Sequence, residues 1–106
     1  MAEPMKIRAT LQGDVADVRV LMAHPMETGQ RKDAKGELVA LHFIQSIVVT
    51  HNGKTVYEGQ WSQAVSRNPF LGLRIKGAKA GDKISVTWVD NKGDKRTDEA
   101  TVAAAS

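Results

Sequence analysis

The chain has 106 residues, enough for one domain with a single core of useful size. Hydrophobic residues make up 42% and charged residues 25%, a globular balance that argues against disorder. Fifteen Lys and Arg against 12 Asp and Glu give a formal charge of +3, interspersed along the chain rather than gathered as in a nucleic-acid binder, and the absence of cysteine excludes a disulfide or a thiol nucleophile.

The stretch MAEPMKIRATLQ has neither an apolar h-region nor a cleavage site, so no signal peptide is expected. No apolar run reaches the length of a bilayer span, and composition alone reads as soluble and cytoplasmic. Ile7, Ala9 and Leu11 alternate with Arg8 and Thr10, which predicts a first strand ending at Gly13-Asp14. Val18, Val20 and Met22 alternate around Arg19 in a second strand that runs into His24. HPMETGQRKD, residues 24–33, carries Pro25 and Gly29 and reads as an ordered loop.

The run LVALHFIQSIVVTHNGK follows. Phe43, Ile47 and Val49 share one parity, and Ile44 and Val48 the other. Such a strand is buried on both faces or carries a bulge that switches faces. Asn52-Gly53 supplies the φ > 0 residues of a type I′ turn, so KTVYEGQW should pair back antiparallel. SQAVSRNPF breaks the alternation, with a turn at Asn68-Pro69. LGLRIKG, KISVTWVD and TDEATVA give three more strands, joined through KAGDK and DNKGD. No helical period, repeat or low-complexity segment is present. About seven short strands at this spacing predict an all-β antiparallel sandwich, one domain over residues 1–106. Val18, Val20, Met22, Ile84, Val86 and Trp88 are expected to face inward.

Candidates for chemistry are few. No HxH or HExxH spacing supports a metal. His51 falls at a hairpin tip and reads as solvated, while His42 lies among apolar neighbours and reads as packing. His24 alone sits in a distinctive loop, either hydrogen-bonded to its own turn or functional. Ser66 lacks the glycines of a nucleophile elbow, and Gly77 and Gly81 are not followed by the GK[ST] of a phosphate loop. Glu27 and Asp33 could lie near one another, but carboxylates in a charged loop usually sit in water. Arg31, Lys32 and Lys35, broken by Asp33 and followed by Glu37, read as a solvated segment with a modest attraction for anions. No catalytic residue and no metal ligand is assigned.

LMAHPMETGQRKD, with its loop H-P-M-E-T-G-x-R-K-D, resembles the SoxZ family, and the similarity continues through HNGKTVYEGQW, AVSRNPF and ISVTWVDNKGD. Members are the small subunits of the SoxYZ carrier complex of bacterial thiosulfate oxidation. The resemblance implies an immunoglobulin-like sandwich without cofactor, bound to SoxY in a heterodimer. SoxY holds the sulfur substrate on a cysteine near its own glycine-rich C-terminus. This chain has no cysteine and ends TVAAAS, so it is not expected to be the carrier arm. The resemblance also implies a periplasmic location, reached by export alongside SoxY. Transient contacts with Sox enzymes are expected, and neither nucleic acid nor membrane is.

Within that reading the loop serves recognition: His24, Pro25, Met26, Glu27, Thr28, Gly29, Arg31, Lys32 and Asp33 form a candidate docking element. Arg31 and Lys32 would attract a sulfur-oxyanion adduct or an acidic enzyme surface. The plain alternative is a loop that only locks two strands together. Trp61, Ser66, Asn68, Pro69 and Phe70 are candidate interface residues. Two readings from other classes stand beside this one. Superoxide-reductase-like proteins are also small sandwiches with a similar HPM loop, but their iron takes four histidines and a cysteine, against three and none here. A periplasmic copper- or non-haem-iron-binding sandwich using His24, Met22 and Met26 remains open, as does a general adhesion module.

Overall fold

The computed structural model describes residues 4–62, 65 and 68–104. Eight strands form there: β1 Lys6–Gln12, β2 Val15–Leu21, β3 Ile44–His51, β4 Lys54–Gln60, β5 Phe70–Lys76, β6 Lys83–Asp90, β7 Lys95–Thr101 and β8 Ala103–Ala104. They build two four-stranded sheets, ordered β5-β2-β1-β8 and β4-β3-β6-β7. This is the expected sandwich with one strand more than anticipated. The extra element is the two-residue β8, whose pairing with β1 is parallel whereas every other pairing is antiparallel. Among the described residues no helix is long and apolar enough to cross a membrane.

Period-two patterning puts the core where expected. Val18, Val20 and Met22 meet Ile84, Val86 and Trp88 between the sheets, all of them buried. Burial of each such side chain contributes roughly 1.5–3 kcal/mol. The ambiguous parity around β3 is resolved by a bulge. The β3–β6 register shifts between Ile44 and Ser46, so Ile44 turns inward together with Ile47 and Val49 while Gln45 stays exposed. One extra residue thus lets a strand with apolar residues on both parities bury them on one side. Val48, opposite Thr87, is left half-buried on the outer face.

The β3–β4 turn forms at Asn52-Gly53, with φ of 51° and 85°, the two positive values a type I′ turn needs. At this end of the sandwich His51 is not simply solvated. Its Nε2 lies 2.7 Å from Asp82 Oδ2. With added bonds from the Lys79 backbone and Asn52, His51 holds the Asp82 carboxyl down at about 2. At the other end, the connection from β2 to β3 folds over the mouth of the core.

Candidate functional site

Among the described residues, three polar ones are buried at that end: His24, Glu27 and Asp90. Buried polar groups are tolerated when hydrogen-bonded, and each of these is. Asp90 closes β6, and the turn to β7 wraps around its side chain. Oδ1 accepts the N–H groups of Lys92 at 3.0 Å and Asp94 at 2.9 Å. Oδ2 takes both imidazoles, His24 Nε2 at 3.1 Å and His42 Nε2 at 2.6 Å. Next to it, Asn91 stitches the returning chain in place, accepting the Phe43 N–H at 2.8 Å and donating to the Leu41 carbonyl at 2.9 Å.

The loop's own chemistry brings the rings there. Met26 has φ of 48°, which costs a non-glycine residue roughly 1–2 kcal/mol. Its N–H donates to His24 Nδ1 at 3.1 Å, and its sulfur accepts the Ile44 N–H at 3.4 Å. Because Nδ1 accepts, the neutral His24 ring carries its proton on Nε2 and donates it to Asp90. A bridge between Glu27 and His42 then delivers the second imidazole. The Glu27 carboxylate is clamped by Arg31, with Nε at 2.9 and 2.8 Å from its two oxygens. Asp33 folds the outer turn by accepting the N–H groups of Lys35 and Glu37 on Oδ1.

Charge follows from these contacts. Burial pushes the Asp90 carboxyl up, but the hydrogen bonds from both histidines and the turn outweigh it and hold it below the ordinary range. Burial pushes His24 down, against the pull of Asp90. Asp90 is therefore a buried carboxylate hydrogen-bonded by two imidazoles and two backbone N–H groups. Among the described residues no hydroxyl is hydrogen-bonded to either imidazole.

The donor atoms of His24, His42 and Asp90 lie within 4.8 Å of one another, the spacing of a possible cation site. A bound zinc-like ion at about 2.0–2.1 Å from each ligand holds the donors apart at roughly 3 Å or more. The 2.6 Å between His42 and Asp90 is instead a hydrogen-bond distance. An ion would have to displace the shared protons and spread the rings. As it stands the three donors are joined to one another by hydrogen bonds.

Several expectations are corrected by this arrangement. His42 is a site residue, not packing. Glu27 is buried and ion-paired, not in water near Asp33, and Arg31 is engaged by it. Of the nine loop residues, His24, Met26 and Glu27 point inward, and Gly29 is half-buried against Leu41. Pro25, Thr28, Arg31, Lys32 and Asp33 are exposed. Asn68 and Pro69 join the loop, Pro69 through its carbonyl to the Met22 N–H at 2.9 Å. Phe70 is 62% exposed beside them. Trp61 lies apart, lining a shallow cleft with Phe43, Gln45 and Gln60. Ser66 lies outside the described residues.

A sequence profile of the family described as "Sulphur oxidation protein SoxZ" matches residues 5–101. No curated protein matches the chain. Among solved structures, a superoxide reductase (neelaredoxin) from Ignicoccus hospitalis superposes with a TM-score of 0.65 at 16% identity, covering 98% of this chain and 82% of that one. A hypothetical protein from Pyrococcus horikoshii gives 0.66 at 17% identity, with coverage of 94% and 88%. A putative superoxide reductase from Thermotoga maritima gives 0.63 at 15% identity, with coverage of 96% and 86%. At such identities the likeness is one of fold.

Proposed function

The chain belongs to the SoxZ family of sulphur oxidation proteins, and from that premise we propose that it is the non-catalytic half of a SoxYZ sulfur-carrier heterodimer. In this reading SoxY bears the substrate on its own cysteine, and both subunits work in the periplasm after joint export. The observation that carries the division of labour is chemical. No cysteine occurs among the 106 residues, so no thiolate can take up sulfur.

The loop over residues 24–33 suits docking of the carrier to Sox enzymes. Its buried side chains fix its shape from beneath, so little ordering entropy is lost when its exposed rim, Pro25, Thr28, Lys32 and Asp33, meets a partner. Trp61, Asn68 and Phe70 offer further exposed or half-exposed contact area for SoxY or for the enzymes.

The test is thiosulfate-dependent turnover in a reconstituted system, with intact mass of both subunits recorded during turnover. Sulfur adducts should accumulate on SoxY alone, and omission of this chain should abolish turnover. An adduct on this chain, or no complex with SoxY at about 1 μM, a modest affinity for a stable pair, would overturn the proposal.

One observation favours a second reading, a copper- or iron-binding sandwich: the convergence of His24, His42 and Asp90. Stoichiometric copper or iron that survives dialysis of the purified chain would establish it. The family match over residues 5–101 favours the carrier subunit.

A further inference from the structure

The outward side chains of β1, β2 and β5 fall into rows set by strand register. They run Lys6–Leu21–Phe70, Arg8–Arg19–Gly72, Thr10–Asp17–Arg74 and Gln12–Val15–Lys76. Five of these residues are cations and one is an acid. A groove along the β1 end of the face adds Asp98 and Glu99 from β7, and Arg96 is held on Asp98 by bonds of 2.9 and 2.8 Å. The six cations and three acids of this region leave +3, the whole formal charge of the chain; the remaining nine of each sign cancel. Cations spaced apart in the sequence are thus brought onto one sheet face.

Two details set this apart from an ordinary solvated face. Arg8 and Arg19 stand directly opposite one another on neighbouring strands, an arrangement that costs stability. Asp17 reaches Arg19 at only 3.4 Å and in the open. The third member of their row is Gly72, which has no side chain to cover them. The Phe70 ring comes within 3.4 Å of where a Gly72 Cβ would stand, leaving an aromatic surface next to the two guanidiniums. Leu21, opposite Phe70, is 43% exposed. Exposed aromatic and arginine side chains placed together are the composition of an interface anchor.

We propose that this sheet face docks an acidic protein surface, with a carboxylate received between Arg8 and Arg19 and an apolar side chain set against Leu21 and Phe70. Paired guanidiniums suit carboxylates because each offers a planar fork of donors. A nucleic acid fits less well, since acids interrupt the cationic rows and only one aromatic ring is available for stacking. The apolar end adjoins the loop at residues 24–33, because Phe70 follows Asn68, whose N–H donates to the His24 carbonyl at 2.9 Å. The inference rests on the carrier reading only for the partner's identity, a sulfur enzyme with an acidic docking patch.

The test compares two double charge reversals in the intact SoxYZ heterodimer, Arg8→Glu/Arg19→Glu and, on the other sheet, Lys54→Glu/Lys95→Glu. Both change net charge equally. The first pair should raise the KM for the carrier about tenfold or more at low salt, leave kcat unchanged and flatten the salt dependence, whereas the second should behave like wild type. Equal effects from both pairs, or none from the first, would overturn the proposal. So would loss of SoxY from the first variant, which would make the face a subunit interface. Salt-sensitive binding of a DNA duplex or anionic vesicles, lost in that variant while the KM stays unchanged, would assign the face to another kind of anion. A second measurement does not depend on the carrier reading. Poly-L-glutamate titrated into the 15N-labelled chain should shift the amides of β1, β2 and β5, and shifts spread evenly over both sheets would count against it.

Discussion

His24 and Asn68, 44 residues apart, hold each other by a reciprocal pair of bonds: the Asn68 N–H donates to the His24 carbonyl at 2.9 Å, and Asn68 Oδ1 accepts the His24 N–H at 3.2 Å. Asn68 does this with φ of 51°, a left-handed conformation that Asn and Gly tolerate best. Asn68→Ala should therefore cost roughly 2–3 kcal/mol, from backbone strain and a lost hydrogen bond together. Asn68→Gly keeps the backbone freedom and should cost only about 1 kcal/mol. Urea unfolding of the two variants distinguishes these contributions; equal losses would mean that the conformation of Asn68 is immaterial.

Asp90→Asn keeps the shape of the site and removes its charge. Both imidazoles and two backbone N–H groups would then face a neutral amide, with one acceptor oxygen lost. The expected loss is about 2–4 kcal/mol, read from chemical denaturation. A neutral result would show that the carboxylate is dispensable to the site.

Acid should weaken the fold in two stages. His24 is pushed down by burial, so the unfolded chain takes up its proton first. Its contribution is complete above the ordinary histidine value of about 6.5 and fades as pH falls below it. Asp90 and Asp82 are held low, so theirs is present above the ordinary carboxyl value and fades as pH falls through the folded values, about 2 for Asp82. Tm measured between pH 8 and pH 2 should show both limbs. His24→Gln should flatten the upper limb alone; an unchanged slope there would assign it to another group.

The two neighbouring cations of the loop should behave differently. Arg31→Ala removes the two guanidinium bonds to the buried Glu27 carboxylate and should lower Tm. Lys32 is exposed, and Lys32→Ala should leave Tm unchanged while weakening carrier turnover at low salt. If Lys32→Ala turns over like wild type, the loop rim takes no part in docking.

Most of the sandwich was legible because alternation is a local signal and the Gly13-Asp14 and Asn52-Gly53 turns are written in adjacent residues. The bulge at Gln45 was legible as an ambiguity, since Ile44 and Ile47 lie on opposite parities and the pattern admits two solutions. His24 stood out in the sequence, but its meeting with His42 and Asp90 was not legible, because the three come from separated segments. One signal was available: Asp90 shares parity with Ile84, Val86 and Trp88, and a carboxylate on a core-facing row requires buried partners. The cationic rows were hidden for a related reason. Lys6 and Arg8 alternate outward, as do Arg74 and Lys76, but nothing local says that Arg19 lies between them.

Trp88 lies edge-on to His24, with ring centroids 5.1 Å apart, and its indole N–H finds no hydrogen-bond partner among the described residues. An indole shielded from solvent emits at short wavelength, and a neighbouring imidazolium quenches it far more strongly than a neutral imidazole. Opening of the loop admits water and shifts the emission to the red; protonation of His24 dims it in place. The molecule thus carries an intrinsic optical reporter inside its most constrained corner, with Trp61→Phe enough to silence the second tryptophan, and both events can be followed in solution without a label.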